Sequence, residues 1–211
     1  TRKIPVIFIS ALDSPADEEH GLDLGAVDYI TKPFHPSIVR KRVRNHLLSV
    51  HQRHLLEELA MIDSLTEIAN RRRYDVALED EWRRCARNGS PLSLIVVDVD
   101  HFKAYNDHLG HAEGDVVLRQ VAHTLQQTAG RPGDLVARYG GEEFAIVTAH
   151  SDIRDALALA EILRRKIERL AVPHDGSSAG VVTASFGVAV LVPDEPDGGA
   201  QLIALADKAL Y

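Results

Sequence analysis

The sequence has little of what would mark a secreted, membrane-spanning or nucleic-acid-binding protein. Cysteine occurs once, at Cys85, so no disulfide can form within the chain and a reducing cytoplasm is the expected location. No run approaches the ~18 apolar residues that a membrane-spanning helix needs, so we expect no membrane insertion. The net charge of −7 provides no overall positive field for a polyanion and argues against general binding of nucleic acid. A small phosphate ligand is not excluded, because it needs only a local site.

What is present is an ordinary globular composition. The 211 residues are 45% hydrophobic and 26% charged, which suits one large domain or two small ones. No signal peptide is visible, and the chain opens almost directly in the strand-like run "IPVIFIS". This opening is expected of a sequence that begins within a fold.

The first 35 residues have the pattern of a β-α-β unit. We predict a strand over 4–10, a helix over 15–24 and a short strand over 27–31, followed by Lys32-Pro33, which we expect as a candidate cis bond. The order strand, helix, strand predicts the closing part of a larger α/β unit.

A long helix is predicted over 36–62. This segment contains no Gly or Pro after Pro36, and its apolar residues recur every three or four positions, which indicates one continuous helix. Its many basic residues are most simply a solvated face. A long amphipathic helix between two folded pieces is also a natural dimerising stalk.

The remainder, 63–211, is predicted to be an α/β domain built around one apolar sheet. Strands and helices alternate along it. We predict helices at about 72–88, 114–128, 153–170 and from 201 onward, and strands at 92–100, in a hairpin within 137–147, and at 181–190.

Acidic residues mark the end of one predicted strand and the turn of the hairpin. In "LSLIVVDVD", Asp98 and Asp100 lie two residues apart and therefore face the same side of a strand. A carboxylate that ends an apolar strand costs several kcal/mol unless something pairs with it. Mg²⁺ prefers one or two carboxylates plus phosphate oxygens. If the strands are neighbours, Asp98 and Glu142 supply that pair.

Glycines and a lysine near these acids suit a phosphorylated ligand. Gly140 and Gly141 would let a bulky ligand approach the backbone. Lys103, five residues after Asp98, would reach phosphate from a loop, and backbone N–H groups at the next helix start would add to it. For an isolated "GGEE", a tight turn with a solvated tip is an equally good interpretation.

The stretch "NDHLGHAEGD" offers groups that suit guanine. A carboxylate such as Asp115 can accept from the ring N–H and the exocyclic amine, and the Asn106 amide can bond N3 or O6. His111 lies between them in the sequence. The alternative is that Asn and Asp in a Gly-containing segment serve as turn and cap residues.

Three motifs, "DSLTEIANRR", "DVDHFKAYNDHLGHAEGD" and "RYGGEEF", jointly resemble the GGDEF domain of diguanylate cyclases over about Asp63 to Tyr211. The resemblance implies a nucleotide-cyclase, palm-like α/β fold with a central sheet flanked by helices. It implies condensation of two GTP into cyclic di-GMP with release of two pyrophosphates. It also implies two Mg²⁺ per active site, with Mn²⁺ as an alternative.

Carried over by position, the family motifs imply a set of site residues. Asp98, the carbonyl of Val99 and Glu142 would hold the metals, and Glu143 would add metal binding or help to deprotonate the attacking 3′-hydroxyl. The residues implied in GTP binding are Phe102, Lys103, Asn106, His111, Asp115, Gly140 and Gly141.

The motif "RPGD" resembles the family's inhibitory site for its own product. Arg131 and Asp134 would form it, because an arginine fork suits both phosphate and the guanine Hoogsteen edge. The alternative is a β-turn with no binding role, of which Pro-Gly-Asp is typical. Family members often add a second arginine from a later helix, but Ile162 occupies that position here, with Arg164 and Arg165 close by.

The stretches "IPVIFISA" and "GAVDYITKPF" resemble the last part of a flavodoxin-like receiver domain of response regulators. Ser10 would be the switch hydroxyl, Tyr29 the switch aromatic and Lys32 the lysine that contacts the phosphoryl group. The phospho-accepting aspartate would lie upstream, so control by a sensor histidine kinase is an expectation about the parent protein.

The sequence therefore predicts 1–35 as the C-terminal part of a receiver domain, 36–62 as a linker helix and 63–211 as a cyclase domain that acts as a homodimer. The family usually continues past "ADKALY" with a lysine and an arginine that contact the triphosphate, so a truncated C-terminal end is expected. The alternatives are a catalytically idle sensor of cyclic di-GMP and a purely structural dimerisation scaffold. The presence of Asp98, Glu142 and Glu143 favours the enzyme.

Overall fold

The computed structural model describes residues 5–59, 61–131, 133–195 and 198–211, without the side chains of 53–59. The chain divides into two compact units, with the division between residues 60 and 61. No helix in the described ranges is long and apolar enough to cross a membrane.

The first unit begins with the expected β-α-β order. Its strands form a parallel pair, and Ser14 caps the helix by accepting a hydrogen bond from the Asp17 N–H. Lys32-Pro33 is a cis peptide bond. The elements are β1 (Ile7–Ser10), α1 (Pro15–Asp23), β2 (Asp28–Thr31) and α2 (Pro36–Leu59).

Helix α2 is shorter than the predicted helix over 36–62. Its described part ends at Leu59, and Ile62 instead forms an isolated antiparallel bridge with Ala69. The physical reason lies in the backbone around the bridge. The Met61 carbonyl accepts from the Asn70 N–H at 3.1 Å, and the Asp63 N–H donates to the Ile68 carbonyl at 2.8 Å. These groups are therefore used in a turn rather than in a helix.

The second unit is built on a five-stranded mixed sheet, which confirms the predicted α/β class. The strand order is β3-β5-β6-β4-β7, antiparallel throughout except for the parallel pair of β3 with β5. The elements are β3 (Ala69–Asn70), α3 (Arg71–Asn88), β4 (Leu92–Val99), α4 (Phe102–Leu109), α5 (His111–Thr128), β5 (Leu135–Gly140), β6 (Glu143–Ala149), α6 (Ile153–Glu168), β7 (Ala184–Leu191) and α7 (Gly199–Leu210).

Helices cover both faces of this sheet, and the side chains of the interior strand β4 alternate between the two cores. Ile95 and Val97 join the core with α5 and α6, and Leu94 and Val96 join the core with α3 and α7. Asp98 is the next residue of the second series, so it continues the α3–α7 side at the end of the strand.

Two predictions about the segments around the acids need correction. Residues 102–109, where Lys103 was expected in a loop, form the helix α4, and α5 begins at His111 rather than at about 114. Gly110 separates these two helices, and its backbone has the positive φ of 86° that a sharp reversal of direction requires. The last strand begins at Ala184 rather than 181, because Val181 pairs with Pro173 in an isolated bridge.

Candidate functional site

The register of the sheet brings the predicted acids together. Asp98 at the end of β4 lies directly opposite Glu143 at the start of β6, and both belong to the series that faces α3 and α7. The Val99 N–H donates to the Glu142 carbonyl at 3.4 Å, which ties the hairpin turn to the end of β4. Gly141 in that turn has a φ of 53°, a backbone conformation that glycine adopts without strain.

The electrostatics of the cluster favour a cation. Burial raises the pKa of Asp98 to about 6, and the nearby carboxylates of Glu142, Glu143 and Asp100 add to the rise. The Asp98 carboxylate is the main cause of the raised pKa of Tyr211. The Tyr211 hydroxyl, just after α7, therefore lies near the acids.

The donor set fits a divalent cation only with help from other oxygens. Within the described ranges, no three His, Cys, Asp or Glu side chains are close enough together to hold a metal ion by themselves. Asp98 with Glu142, the predicted pair, or with Glu143 would supply two carboxylates, and the Val99 carbonyl and substrate phosphates would complete a shell of the kind that Mg²⁺ prefers.

A partly buried ion pair holds the turn that carries the glutamates, and the sequence reasoning missed it. The Arg138 guanidinium donates to the Gly141 carbonyl at 2.9 and 2.8 Å and to Asp63 at 3.1 Å. Thr66 donates to Asp63 from its N–H and its hydroxyl. The available signal was that Asp63 and Arg138 open two of the three motifs.

The pKa of Asp63 shows that its hydrogen bonds and its ion pair with Arg138 favour the ionised carboxylate. Burial alone would raise it, but the hydrogen bonds from Thr66 and the Arg138 guanidinium outweigh burial and hold the pKa of Asp63 below its ordinary value. Asp63 is therefore ionised when the turn is in the described position.

The start of α4 lies next to the acids and has the features of a phosphate-binding helix end. Asp100 and His101 connect it to β4, no side chain caps its first turn, and its free N–H groups carry partial positive charge. Phe102 is buried and Lys103 is exposed. Gly140 and Gly141 are exposed. They lie in the hairpin turn beside Glu143, which pairs with Asp98 near the end of β4.

The candidate guanine-binding residues meet where α4 packs on α5. The Asn106 Oδ1 atom is buried without a hydrogen-bond partner, which leaves an acceptor for a ligand. Gly114 makes room for it, because a Cβ at this position would lie 1.9 Å from Asn106 Oδ1. Asp115, the residue after Gly114, is half-buried, and His111 is exposed at the start of α5.

The alternative that these residues are turn and cap residues is wrong for Asn106 and Asp115. Asn106 lies inside α4, Asp115 lies in the second turn of α5, and Gly110 is the N-cap of α5 with no side-chain cap.

Arg131 and Asp134 are joined by a turn-like hydrogen bond and both line a cavity. The Asp134 N–H donates to the Arg131 carbonyl at 3.0 Å, as in a β-turn. The cavity has a volume of about 230 Å³ and is also lined by Ser151, Asp155 and Ile162. Burial raises the pKa of Asp134 despite the neighbouring Arg131.

The two arginines after Ile162 are held on their own helix. Arg164 pairs with Glu161 at 2.9 Å and with Glu168 at 3.0 Å, and Arg165 pairs with Glu161 at 2.6 Å. Neither lines the cavity. Ile162 does, as its position in the sequence indicates.

The three candidate switch residues of the first unit lie near one another. Tyr29 is buried and its hydroxyl donates to the Leu12 carbonyl at 3.2 Å, and Ser10 Oγ accepts from the Leu12 N–H at 3.1 Å. The Lys32 N–H donates to the Ser10 carbonyl at 2.8 Å, and its side chain is exposed.

Comparison with known proteins gives a family match for the second unit and similar relatives for the chain. Residues 60–211 match the family model "Diguanylate cyclase, GGDEF domain". The chain is similar to the diguanylate cyclase VdcA of Vibrio cholerae, with 43% identity over 72% of this chain, and to the response regulator PleD of Caulobacter vibrioides, with 33% identity over 100% of this chain. Its fold is similar to that of the GGDEF domain of DgcB from Caulobacter crescentus, solved in complex with c-di-GMP. The TM-score is 0.66 at 34% identity, covering 72% of this chain and 88% of that one.

The chain spans less than half the length of the two curated relatives, covering 43% of VdcA and 48% of PleD. The PleD match extends over both structural units, whereas the family model begins where the second unit begins.

Proposed function

The chain belongs to the GGDEF family of diguanylate cyclase domains, and from that premise we propose that it condenses two GTP into cyclic di-GMP and two pyrophosphates. The observation that carries the proposal is the pairing of Asp98 with Glu143 at one end of the sheet. This pairing brings acids together at one end of the sheet, and a bound cation would relieve the repulsion between them.

Asp98, the Val99 carbonyl, Glu142 and Glu143 would hold two Mg²⁺ ions, for which Mn²⁺ is an alternative. Bound there, the ions would neutralise charge on the α-phosphate and on the leaving pyrophosphate. The raised pKa of Asp98 supports this assignment, since a carboxyl crowded by like charges gains the most from a cation.

The chain's own residues would position the substrate, which carries most of the catalysis in a phosphoryl-type transfer. The first N–H groups of α4 and the Lys103 side chain would bind the triphosphate. Asn106 and Asp115 would bind the guanine edge, with His111 at the rim of the site. Glu143 would also accept the proton of the attacking 3′-hydroxyl.

The proposal is tested by incubating the protein with GTP and Mg²⁺ and identifying the products by chromatography and mass spectrometry. Cyclic di-GMP and pyrophosphate in a 1:2 ratio are expected. Formation of the linear dinucleotide alone, or consumption of ATP at an equal rate, would contradict the proposal.

Binding of cyclic di-GMP is the second function that we propose, because the cavity at Arg131 and Asp134 combines a guanidinium with a partly buried carboxyl. In the active enzyme this cavity would provide product inhibition. In a catalytically idle protein it would make the domain a sensor. With Ile162 in place of a second arginine, we expect inhibition to be weaker than in a site with both.

Control by a sensor histidine kinase through the receiver part of the parent protein, and action as a homodimer, complete the proposal. Each site has groups for one GTP, so two sites must face each other to join two nucleotides. The exposed apolar residues of α2, among them Leu47 at 60% exposure, support a dimerising role. The cytoplasmic location expected from the single cysteine stays a prediction.

A further inference from the structure

The loop between α6 and β7 contains a buried histidine that none of the family motifs uses. The His174 side chain is only 2% exposed. It packs edge-on against the Tyr105 ring of α4, with 5.2 Å between ring centroids and an interplanar angle of 87°. A buried imidazole with both nitrogens bonded is a specific arrangement rather than a filler.

The hydrogen bonds of His174 determine its tautomer. The Gly176 N–H donates to Nδ1 at 3.2 Å, so Nδ1 must be the unprotonated acceptor. Nε2 then carries the proton and donates to the His101 carbonyl at 3.3 Å. The neutral ring therefore connects its own loop to the residue that precedes α4.

His101 is the residue that determines where α4 begins. Its φ of 55° lies in the left-handed region, which is unfavourable for a residue other than glycine. Its carbonyl accepts both the Tyr105 N–H at 3.1 Å and the His174 side chain. Since no side chain caps α4, the His174 contact is what holds this strained residue from outside the helix.

A second connection runs from the same region to the preceding residue. Asp100 accepts from the hydroxyls of Thr183 and Ser185, each at 2.6 Å, and its N–H donates to the Thr183 carbonyl at 3.0 Å. Residues 100 and 101, which lie between the acid-bearing strand and the uncapped helix, are thus held from one side by residues 174–185.

We propose that His174 is a positioning residue for the triphosphate of GTP, acting through the His101 carbonyl on the first turn of α4. This inference rests on the proposed function. By fixing His101 in its left-handed conformation, His174 keeps the N–H groups of Phe102 and Lys103 directed at the phosphates and leaves guanine recognition at Asn106 and Asp115 unaffected.

Two substitutions separate the two bonds of the ring. In His174→Asn, the side-chain oxygen takes the place of Nδ1 and keeps the Gly176 bond, but the donor to His101 is lost. In His174→Gln, the amide N–H takes the place of Nε2–H and keeps the donor to His101, but the Gly176 bond is lost. Asparagine is one methylene group shorter than glutamine and leaves more empty space at this buried site. The comparison of GTP with guanosine therefore separates lost packing, which would weaken both ligands, from a lost bond to His101.

The experiment measures binding of GTP and of guanosine by calorimetry, together with the melting temperature. His174→Asn is expected to weaken GTP by about five- to tenfold, the scale of one lost hydrogen bond, while guanosine affinity stays within about twofold. His174→Gln is expected to restore most of the GTP affinity.

Equal loss of GTP affinity in both variants, or equal loss for GTP and guanosine, would show a structural role and overturn the inference. Unchanged GTP binding by His174→Asn would do the same while leaving the proposed function intact. If the unaltered chain binds no GTP, the proposed function fails and the inference fails with it.

Discussion

At the scale of single residues, the acids show how ordinary strand geometry produces a demanding electrostatic site. An antiparallel register places Asp98 opposite Glu143, and the resulting crowding is visible in the pKa of Asp98, which burial and the neighbouring carboxylates raise to about 6. Such perturbed groups concentrate at functional sites. The site is therefore best tested by removing its charges one at a time.

Glu142→Gln and Glu143→Gln are each expected to reduce cyclic di-GMP formation to less than about a tenth, because each removes a negative charge needed to hold the cations. GTP binding should suffer less in Glu143→Gln than in Glu142→Gln. Steady-state assays with matched binding measurements check this.

The control for the glutamate variants is Asp80→Asn, which removes one charge from an exposed position on α3 and should leave turnover unchanged. If either glutamine variant keeps more than about a tenth of the activity, the assignment of the cation site is wrong.

Asp115 is expected to determine the choice of base. Asp115→Ala leaves the donors of guanine unpaired, so GTP affinity should fall by about 1–3 kcal/mol, whereas ATP affinity should barely change. Competition binding with both nucleotides measures the difference. Equal losses for GTP and ATP would show that Asp115 supports the helix rather than reading the base.

At the scale of elements, the hairpin turn between β5 and β6 depends on a contact from outside the hairpin. Arg138 bonds both the Gly141 carbonyl and Asp63, so the segment that begins the second unit positions the turn that carries Glu142 and Glu143. Asp63 and Arg138 are mostly buried, at 22% and 16% side-chain exposure, so this pair is screened less than the exposed pairs on α6.

The stability of this contact should depend on pH in a predictable direction. The folded state lowers the pKa of Asp63, so its stabilising contribution is full above the unfolded value of about 3.9 and is lost as the pH falls through the lower folded value. Asp63→Asn cannot titrate. We expect the free energy of unfolding of the wild type to exceed that of Asp63→Asn at pH 7, and the gap to narrow below about pH 4.

Urea unfolding at pH 7 and at successively lower pH values provides the measurement, with the exposed Asp80→Asn as the control for a general loss of charge. A gap between wild type and Asp63→Asn that stays constant from pH 7 to 3 would contradict the predicted role of the ionised carboxylate.

At the scale of the whole molecule, the product constrains the assembly. The proposed site would bind one GTP and the proposed product joins two nucleotides, so we expect activity only when two chains meet. On α2 the apolar residues Val43 and Leu47 are 39% and 60% exposed. The helix is bonded to its own unit through Arg42 and Asp28 at 2.7 Å. The exposure of Val43 and Leu47 is the observation that favours contact with a second copy.

Leu47→Glu should separate the dimer, because it would bury an unpaired charge in the seam at a cost of several kcal/mol. Each chain should still bind one GTP, while turnover per chain should rise with protein concentration. Sedimentation combined with assays over a dilution series makes the test.

Ser49→Glu is the matched control, since it adds the same charge two residues further along, where the helix turns the side chain to a different side. A Leu47→Glu monomer that makes cyclic di-GMP at the wild-type rate at high dilution would show that α2 is not the dimerising element.

The sequence by itself determined the elements whose signals are local. The β-α-β unit, the α3 helix and the apolar strand that carries Asp98 are all indicated by neighbouring residues, as is the family by its three motifs. Helix α4 was not predicted, because its Asn, Asp and His residues are typical of loops. Packing of Phe102 and Tyr105 into the core favours the helix there.

Tertiary structure alone decided which distant residues meet. Asp63 and Arg138 are 75 residues apart in the chain, and His101 and His174 are 73 apart, so no periodicity or spacing connects them. Strand register and the packing of loops on α4 determine which of these residues meet. Both depend on the complete sheet being formed. The same register, not any local pattern, places Asp98 against Glu143 and makes an acid pair into a candidate site.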